Sequence, residues 1–219
     1  MSLSRLKIPL IAVLAGAILM VLAPPAVQAH PHVWVSVRSQ YVFDAGGKIA
    51  GIRHSWTFDE MYSAFALQGL GKDGVPVETG LKALAKVNVT QLAEYGYFTL
   101  LRVGGRKIAF SGAKDQMITL DDKRNATLHF TLVLKQPIAA KPAAMLKVVD
   151  PSYYVAFDFA KKEPVTLTNA PKGCSISMVV PQPLTAAQRM RLEAVAGTND
   201  SPGTDFGILL ASSAIAACP

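Results

Sequence analysis

Hydrophobic and polar side chains alternate along residues 33–43, with Val33, Val35, Val37, Tyr41 and Phe43 at odd positions. This period of two is typical of a β-strand with one buried face. The turn signal Asp44-Ala45-Gly46-Gly47 follows, and residues 48–58 alternate again. If Gly46 and Gly47 form a two-residue loop, Val35 faces Phe58, Tyr41 faces Ile52 and Phe43 faces Ala50. The pattern therefore predicts an antiparallel hairpin with one apolar face.

The predicted hairpin register also indicates on which face of the hairpin each nearby histidine lies. His54 falls on the apolar face opposite Ser39, as is typical of a core histidine whose hydrogen bonds are satisfied. His32 falls on the polar face, diagonal to Asp59. His129 lies in a later predicted strand and is expected to be structural. Whether His54 or His129 also contributes to a functional site stays open.

Helical and extended segments follow one another after residue 58. Residues 59–67, 78–92 and 184–195 have helical periodicity, and acidic residues open the first of these stretches. Gly69–Gly74 matches G-x-G-x-x-G, but it follows a helix, so it is predicted to be a loop and not a dinucleotide site. Strands are expected at 97–103, 106–110, 116–120, 127–134, 145–149, 153–159, 165–168 and 175–180. The sum predicts one α+β domain of mostly antiparallel strands, with an N-terminal hairpin and two to three helices.

The first 29 residues resemble an export signal. Arg5 and Lys7 precede an apolar run over residues 8–22, and Val27-Gln28-Ala29 forms a small-x-small site. Cleavage after Ala29 would leave a single periplasmic domain, residues 30–219. An uncleaved N-terminal anchor is the alternative, although the run is short for a membrane span. No stable span is expected after cleavage, because the apolar stretch 206–217 is also too short.

The net charge and the two cysteines limit which classes of function are expected. The net charge of +7 includes Arg5 and Lys7, and the remaining basic residues are scattered, so a nucleic-acid partner is not expected. The two cysteines, Cys174 and Cys218, are expected to form a disulfide in an exported chain. Two independent buried thiols are the alternative.

Cleavage after Ala29 would make His30 the N-terminal residue, with a free α-amine beside its imidazole. This pair can chelate a metal, and His32 can supply a third nitrogen, which is the histidine-brace arrangement. Asp59 or Glu60 could add a carboxylate, although both are also typical first-turn acids of a helix. Imidazole suits nickel, cobalt, zinc and copper, so the metal stays open. A solvated N-terminus without metal is the alternative.

Three segments carry a resemblance to a known family. These are His30-Pro-His-Val-Trp34-Val after the signal, Trp56-Thr-Phe58-Asp59-Glu60-Met-Tyr62-Ser63, and the terminal Cys218-Pro219. Over essentially the whole mature chain the sequence resembles a bacterial periplasmic family of unknown function. Its members are labelled the periplasmic component of an uncharacterised ABC-type transport system. They are often encoded beside nickel/cobalt-type permeases, so the resemblance implies transition-metal handling and an inner-membrane metal permease as partner.

The expected function is therefore a non-enzymatic, metal-binding accessory protein of a transport system in the periplasm. An envelope interaction module without metal is a second hypothesis. A histidine-brace copper mono-oxygenase is a third, with Trp34 and Tyr62 as its only candidate platform residues. A two-lobe solute receptor is disfavoured by chain length and pattern. Asp150, Tyr153, Tyr154 and Asp158 could line a pocket, but their spacing is more typical of edge and surface residues.

Overall fold

The computed structural model describes residues 31–72, 75–195, 202–203 and 205–219. The predicted signal peptide and His30 lie outside these residues. The strands of the described part are β1 Val33–Phe43, β2 Ile49–Phe58, β3 Gly71–Lys72, β4 Val75–Pro76, β5 Thr99–Val103, β6 Arg106–Lys107, β7 Phe110–Leu120, β8 Ala126–Ile138, β9 Ala144–Val148, β10 Val155–Phe159, β11 Val165–Thr168, β12 Ser175–Val179 and β13 Ser213–Ala217. Its helices are α1 Glu60–Ala66, α2 Glu78–Leu92, α3 Ala186–Ala194 and α4 Phe206–Leu210, with a 3-10 segment at Ala93–Phe98.

Two β-sheets carry the fold. The first has the strand order β10-β1-β2-β8-β7, and β11 pairs with β1 beyond β10. The second has the order β12-β13-β9-β5-β6, and all its pairs are antiparallel. Among the described strands, only β10 and β11 run parallel to their neighbour, β1. The α+β class with mostly antiparallel strands is therefore confirmed. In the described part of the chain, no helix is long and apolar enough to cross a bilayer.

The register of the N-terminal hairpin is confirmed over most of its length. Val35 pairs with Phe58 and Tyr41 with Ile52, as predicted. The predicted two-residue loop is wrong. Asp44 pairs with Lys48 through the Asp44 N–H and the Lys48 carbonyl (2.8 Å), which leaves a three-residue loop. Gly47 has φ +72°, the left-handed conformation that closes such loops. The extra loop residue shifts Phe43 onto Ile49 in place of Ala50, and an irregularity beside Val42 absorbs the shift.

The two sheets share one hydrophobic core. The odd positions of β1 and the side chains of Ile52 and Trp56 on β2 are almost fully buried. Two polar side chains cross the core to the second sheet. The Tyr41 hydroxyl donates to the Ala144 carbonyl (2.9 Å) and the Ala214 carbonyl (3.0 Å), and His54 contacts Thr99. These hydrogen bonds tie β1 and β2 to strands β9, β13 and β5.

The predicted disulfide is present. Cys174 precedes β12 and Cys218 follows β13, and the pairing of Ser175 with Ala217 brings the two cysteines together. Their sulfur atoms are bonded at 2.09 Å. The bridge fastens the last strand to the sheet by a covalent link across 44 positions of the sequence.

Three other predicted segments differ from the structure. β7 begins at Phe110, not at residue 116, and it belongs to the first sheet, whereas β6 ends at Lys107 in the second. The predicted strand at 97–103 begins at Thr99, because Gly96, Tyr97 and Phe98 have positive φ angles. The predicted loop at 69–74 contains β3, which pairs with β4. Asp73 and Gly74 lie outside the described residues.

Candidate functional site

His32 lies at the open end of the first sheet, where β1 meets β10. The parallel register pairs Val33 with Val155, so the residues that precede these two, His32 and Tyr154, are neighbours. The His32 N–H donates to the Tyr154 carbonyl (2.9 Å), and the two rings stack with centroids 4.4 Å apart and an angle of 29° between their planes. The imidazole is half-buried. Its position is therefore fixed by both backbone and ring contacts.

Asp59 lies at the same end of the sheet and is held by hydrogen bonds to the backbone on both sides. Its N–H donates to the Trp34 carbonyl (3.0 Å), and its Oδ2 accepts from the Trp34 N–H (2.9 Å). Its Oδ1 accepts from the Tyr62 N–H (2.8 Å) as the N-cap of α1. Each carboxylate oxygen thus accepts one of these hydrogen bonds, while an ionised carboxylate offers about four lone-pair sites. Asp59 can cap the helix and still face a cation.

The other two predicted ligands are Glu60 and His30. Glu60 is the first residue of α1 and its side chain is exposed. His30 precedes Pro31 and lies outside the described residues. Among the described residues, no group of three or more His, Cys, Asp and Glu side chains is arranged to hold a metal ion. The structure places two of the predicted ligands, His32 and Asp59, at one sheet end. The predicted metal site needs His30 as a further ligand.

The loop that carries Tyr154 is fixed by a buried carboxylate. Asp150 is only 7% exposed, and its Oδ1 accepts from the N–H and the hydroxyl of Ser152. Its Oδ2 accepts from the Val155 N–H (3.0 Å). The expectation that Asp150 is an edge or surface residue is therefore wrong: it organises the turn that leads into β10. Tyr154, expected on the surface, is half exposed and covers His32.

An aromatic cavity of about 220 Å³ opens beside His32 and Asp59. Tyr62 and Tyr154 belong to its lining, and burial together with the nearby Asp59 and Tyr154 raises the pKa of the Tyr62 hydroxyl. Further rings line the interior, namely Trp56, Phe58 and Phe157 from the first sheet and Phe98 from the 3-10 segment. Tyr62 lines the cavity and packs on Phe58 (4.8 Å between centroids), whereas Trp34 is 46% exposed and is not part of the lining.

His54 and His129 occupy sites of another kind. His54 is fully buried; its Nδ1 lies 2.9 Å from the Ser39 hydroxyl and its Nε2 lies 3.2 Å from the Thr99 hydroxyl. Burial lowers the pKa of His54 to about 3. His129 lies between the hydroxyls of Ser55 (2.9 Å) and Thr119 (2.8 Å). The prediction that His54 is a core histidine with satisfied hydrogen bonds is confirmed, and His129 is held between two hydroxyls at a half-buried position.

Sequence reasoning missed the cavity and the contact between His32 and Tyr154. The lining residues come from five separated segments of the chain, so no local motif marks them. Tyr154 was one of four residues that could line a pocket, but their spacing favoured edge and surface positions.

Comparison with known proteins supplies a family. The match spans residues 15–218, which include His32, Asp59, Glu60 and both cysteines. The chain belongs to the family described as "Protein of unknown function (DUF1007)". It is also similar to an uncharacterized protein of Haemophilus influenzae, with 24% identity over 156 residues, which are 71% of this chain and 75% of the relative. Neither description names an activity.

Proposed function

We propose that this protein is a periplasmic accessory protein that binds a divalent transition metal and exchanges it with an inner-membrane metal permease. Nickel, cobalt, zinc and copper all suit the proposed ligands. The observation that carries the proposal is the pair of hydrogen bonds between Trp34 and Asp59. These bonds hold a carboxylate beside the strand that begins immediately after His32, so an imidazole and an anionic oxygen are available at the same sheet end.

The geometry supports a partly preorganised site. Stacking on Tyr154 and the N-cap role of Asp59 restrict both side chains before any metal arrives. Restricted ligands lose less conformational freedom on binding, which favours affinity. In the proposal, His30 adds its α-amine and imidazole after cleavage at Ala29. Pro31 has no backbone N–H, so a site built from deprotonated backbone nitrogens of the first three residues is excluded.

Apolar surface next to the proposed ligands supports a protein partner. Met61 and Phe65 are each 69% exposed and lie one turn apart on α1, and Trp34 is 46% exposed on the neighbouring strand. Side chains four positions apart lie on one helix face. In the proposal this face contacts the permease while the metal is exchanged.

Single-histidine variants test the proposal. Nickel(II), zinc and copper(II) are titrated by calorimetry into the chain that begins at His30. We expect one-to-one binding, and we expect His32→Ala to weaken it by at least the roughly 10–100-fold that is typical for loss of a residue that only supports a ligand. His129→Ala is the matched control, because Ser55 and Thr119 already hold that imidazole away from the proposed site. Equal affinities for the wild type and His32→Ala would contradict the proposal.

A second candidate is an envelope interaction module that needs no metal. The exposed Met61 and Phe65 favour it, because they would serve a partner equally well without bound metal. This candidate predicts that the wild-type chain binds none of the three metals. It also predicts that Phe65→Ser abolishes partner binding while His32→Ala does not.

A further inference from the structure

We infer that the aromatic cavity beside His32 binds an uncharged molecule of one or two aromatic rings that carries a hydrogen-bond acceptor. The inference is independent of the proposed metal site and concerns the interior behind it. None of the described residues that line the cavity is charged. A charged ligand would lose its hydration here without gaining an ion pair, so the lining favours a neutral one.

The shape and size of the cavity favour flat rings. Trp56 packs edge-on against Phe130 (4.9 Å between centroids, 88°) and lies 4.9 Å from Phe157, and Phe98 also packs on Phe157 (5.4 Å between centroids). These contacts fix the orientation of the rings that form the cavity wall, and aromatic ligands pack well against such faces and edges. The volume of about 220 Å³ exceeds the roughly 150 Å³ that accommodates benzene in an engineered apolar cavity.

An unsatisfied donor in the wall specifies the acceptor. Trp56 is 1% exposed, and its Nε1–H meets no hydrogen-bond acceptor within the part of the chain that the structure describes. A buried donor without a partner costs free energy, so most are paired in folded proteins. The Trp56 indole lines the cavity but Nε1 itself is closed to solvent, so in the proposal a small rotation of the ring lets a ligand's carbonyl or ether oxygen supply the missing acceptor.

Helix α2 provides the rim through which such a molecule would pass. Asn88 and Gln91 contribute carboxamides to the lining, and Asn88 is half-buried. Tyr95 is 64% exposed and Tyr154 is 50% exposed, so two of the lining residues also reach the surface. The site therefore combines an apolar interior with polar groups at its entrance, as is typical of small-molecule sites.

Two neutral probes of similar shape test the inference. Acetophenone carries a carbonyl acceptor, and ethylbenzene lacks one. Binding to the chain that begins at His30 is followed by ligand-detected NMR and by displacement between the two probes. We expect saturable binding of both, with acetophenone bound roughly five- to tenfold more tightly through one hydrogen bond. Trp56→Phe keeps a ring but removes the donor, so it should abolish this preference.

Because Trp56→Phe also changes the packing of the core, a variant that blocks the cavity provides a second, independent test. Asn88→Phe adds a ring at the cavity rim and should weaken both probes at least tenfold. Val87→Phe adds the same ring to the neighbouring residue, which is 51% exposed and outside the lining, and should change neither affinity. The inference is overturned if the wild type binds neither probe, if both phenylalanine variants behave alike, or if ethylbenzene binds as tightly as acetophenone.

Discussion

His54 lies within the first sheet and His32 immediately precedes its strand β1, yet the structure places them in opposite chemical situations. His54 sits between the two sheets, where hydroxyls of Ser39 and Thr99 meet both ring nitrogens. His32 lies at the sheet end and stacks on Tyr154. It immediately precedes β1, whose Trp34 is hydrogen-bonded to Asp59. The first arrangement uses the imidazole as an uncharged connector in the core. The second leaves it beside an anionic oxygen and the route to solvent.

In the proposed account, stability and metal binding depend on different regions of this molecule. Core features, such as His54 and the disulfide, should affect unfolding without affecting metal affinity. Features of the sheet end should affect metal affinity with little effect on unfolding. Each variant below is expected to move one of these properties more than the other.

The disulfide gives the largest expected change in stability. Replacing both cysteines (Cys174→Ser with Cys218→Ser) should lower the free energy of unfolding by about 2–4 kcal/mol, because the unfolded chain gains freedom. Urea denaturation measures this change. Metal affinity measured in parallel should match that of the wild type, and a parallel loss of affinity would show that the two regions are coupled.

His54 should make stability depend on pH. The folded chain keeps His54 neutral, with a pKa of about 3, whereas unfolding restores a value near 6.5. The contribution is fully present above pH 6.5 and is lost as the pH falls towards 3, because only the unfolded chain takes up the proton. Between pH 7 and pH 5 this amounts to about 2 kcal/mol. Denaturation of His54→Gln at both pH values should show a decline that is smaller by this amount.

His129→Gln is the control for that measurement. Burial lowers the pKa of His129 as well, but its ring is only half-buried. Its removal should therefore reduce the decline less than removal of His54. An identical decline in His54→Gln and in the wild type would show that His54 takes up a proton in the folded chain.

Asp59 belongs to both regions, and two substitutions separate its roles. Asp59→Ala removes the helix cap and should cost about 1 kcal/mol of unfolding free energy. Asp59→Asn keeps one capping oxygen and should cost less. Both remove the negative charge, so both should weaken metal binding in calorimetric titration. If metal affinity follows Glu60→Gln and not the Asp59 variants, Glu60 is the carboxylate ligand.

The hairpin could be predicted from the sequence because its side chains carry the register. A shift by one residue would expose Tyr41 and Trp56 and bury their charged neighbours, so only one pairing fits the pattern. The loop could not be predicted equally well, because Gly46 and Gly47 both permit tight turns. In the structure only Gly47 has a positive φ angle, and Asp44 closes the loop through its side chain to the Lys48 N–H (2.9 Å).

The surroundings of His32 could be predicted only in part. Its proximity to Asp59 follows from local pairing of β1 with β2, which a short-range pattern encodes. Its stacking on Tyr154 depends on the parallel pairing of β1 with β10, two strands far apart in the sequence. No periodicity specifies which distant strand covers an edge. The same reason explains why the aromatic cavity was not predicted.

The most direct test of the proposed metal site is the contribution of the N-terminal amine. Nickel(II), zinc and copper(II) are titrated into the chain that begins at His30 and into the same chain with one additional alanine before it. The extension keeps both imidazoles and Asp59 but moves the amine away from His30. We predict one-to-one binding that is weakened at least tenfold by the added residue. Equal affinity in the two forms, or binding to neither, would contradict the account.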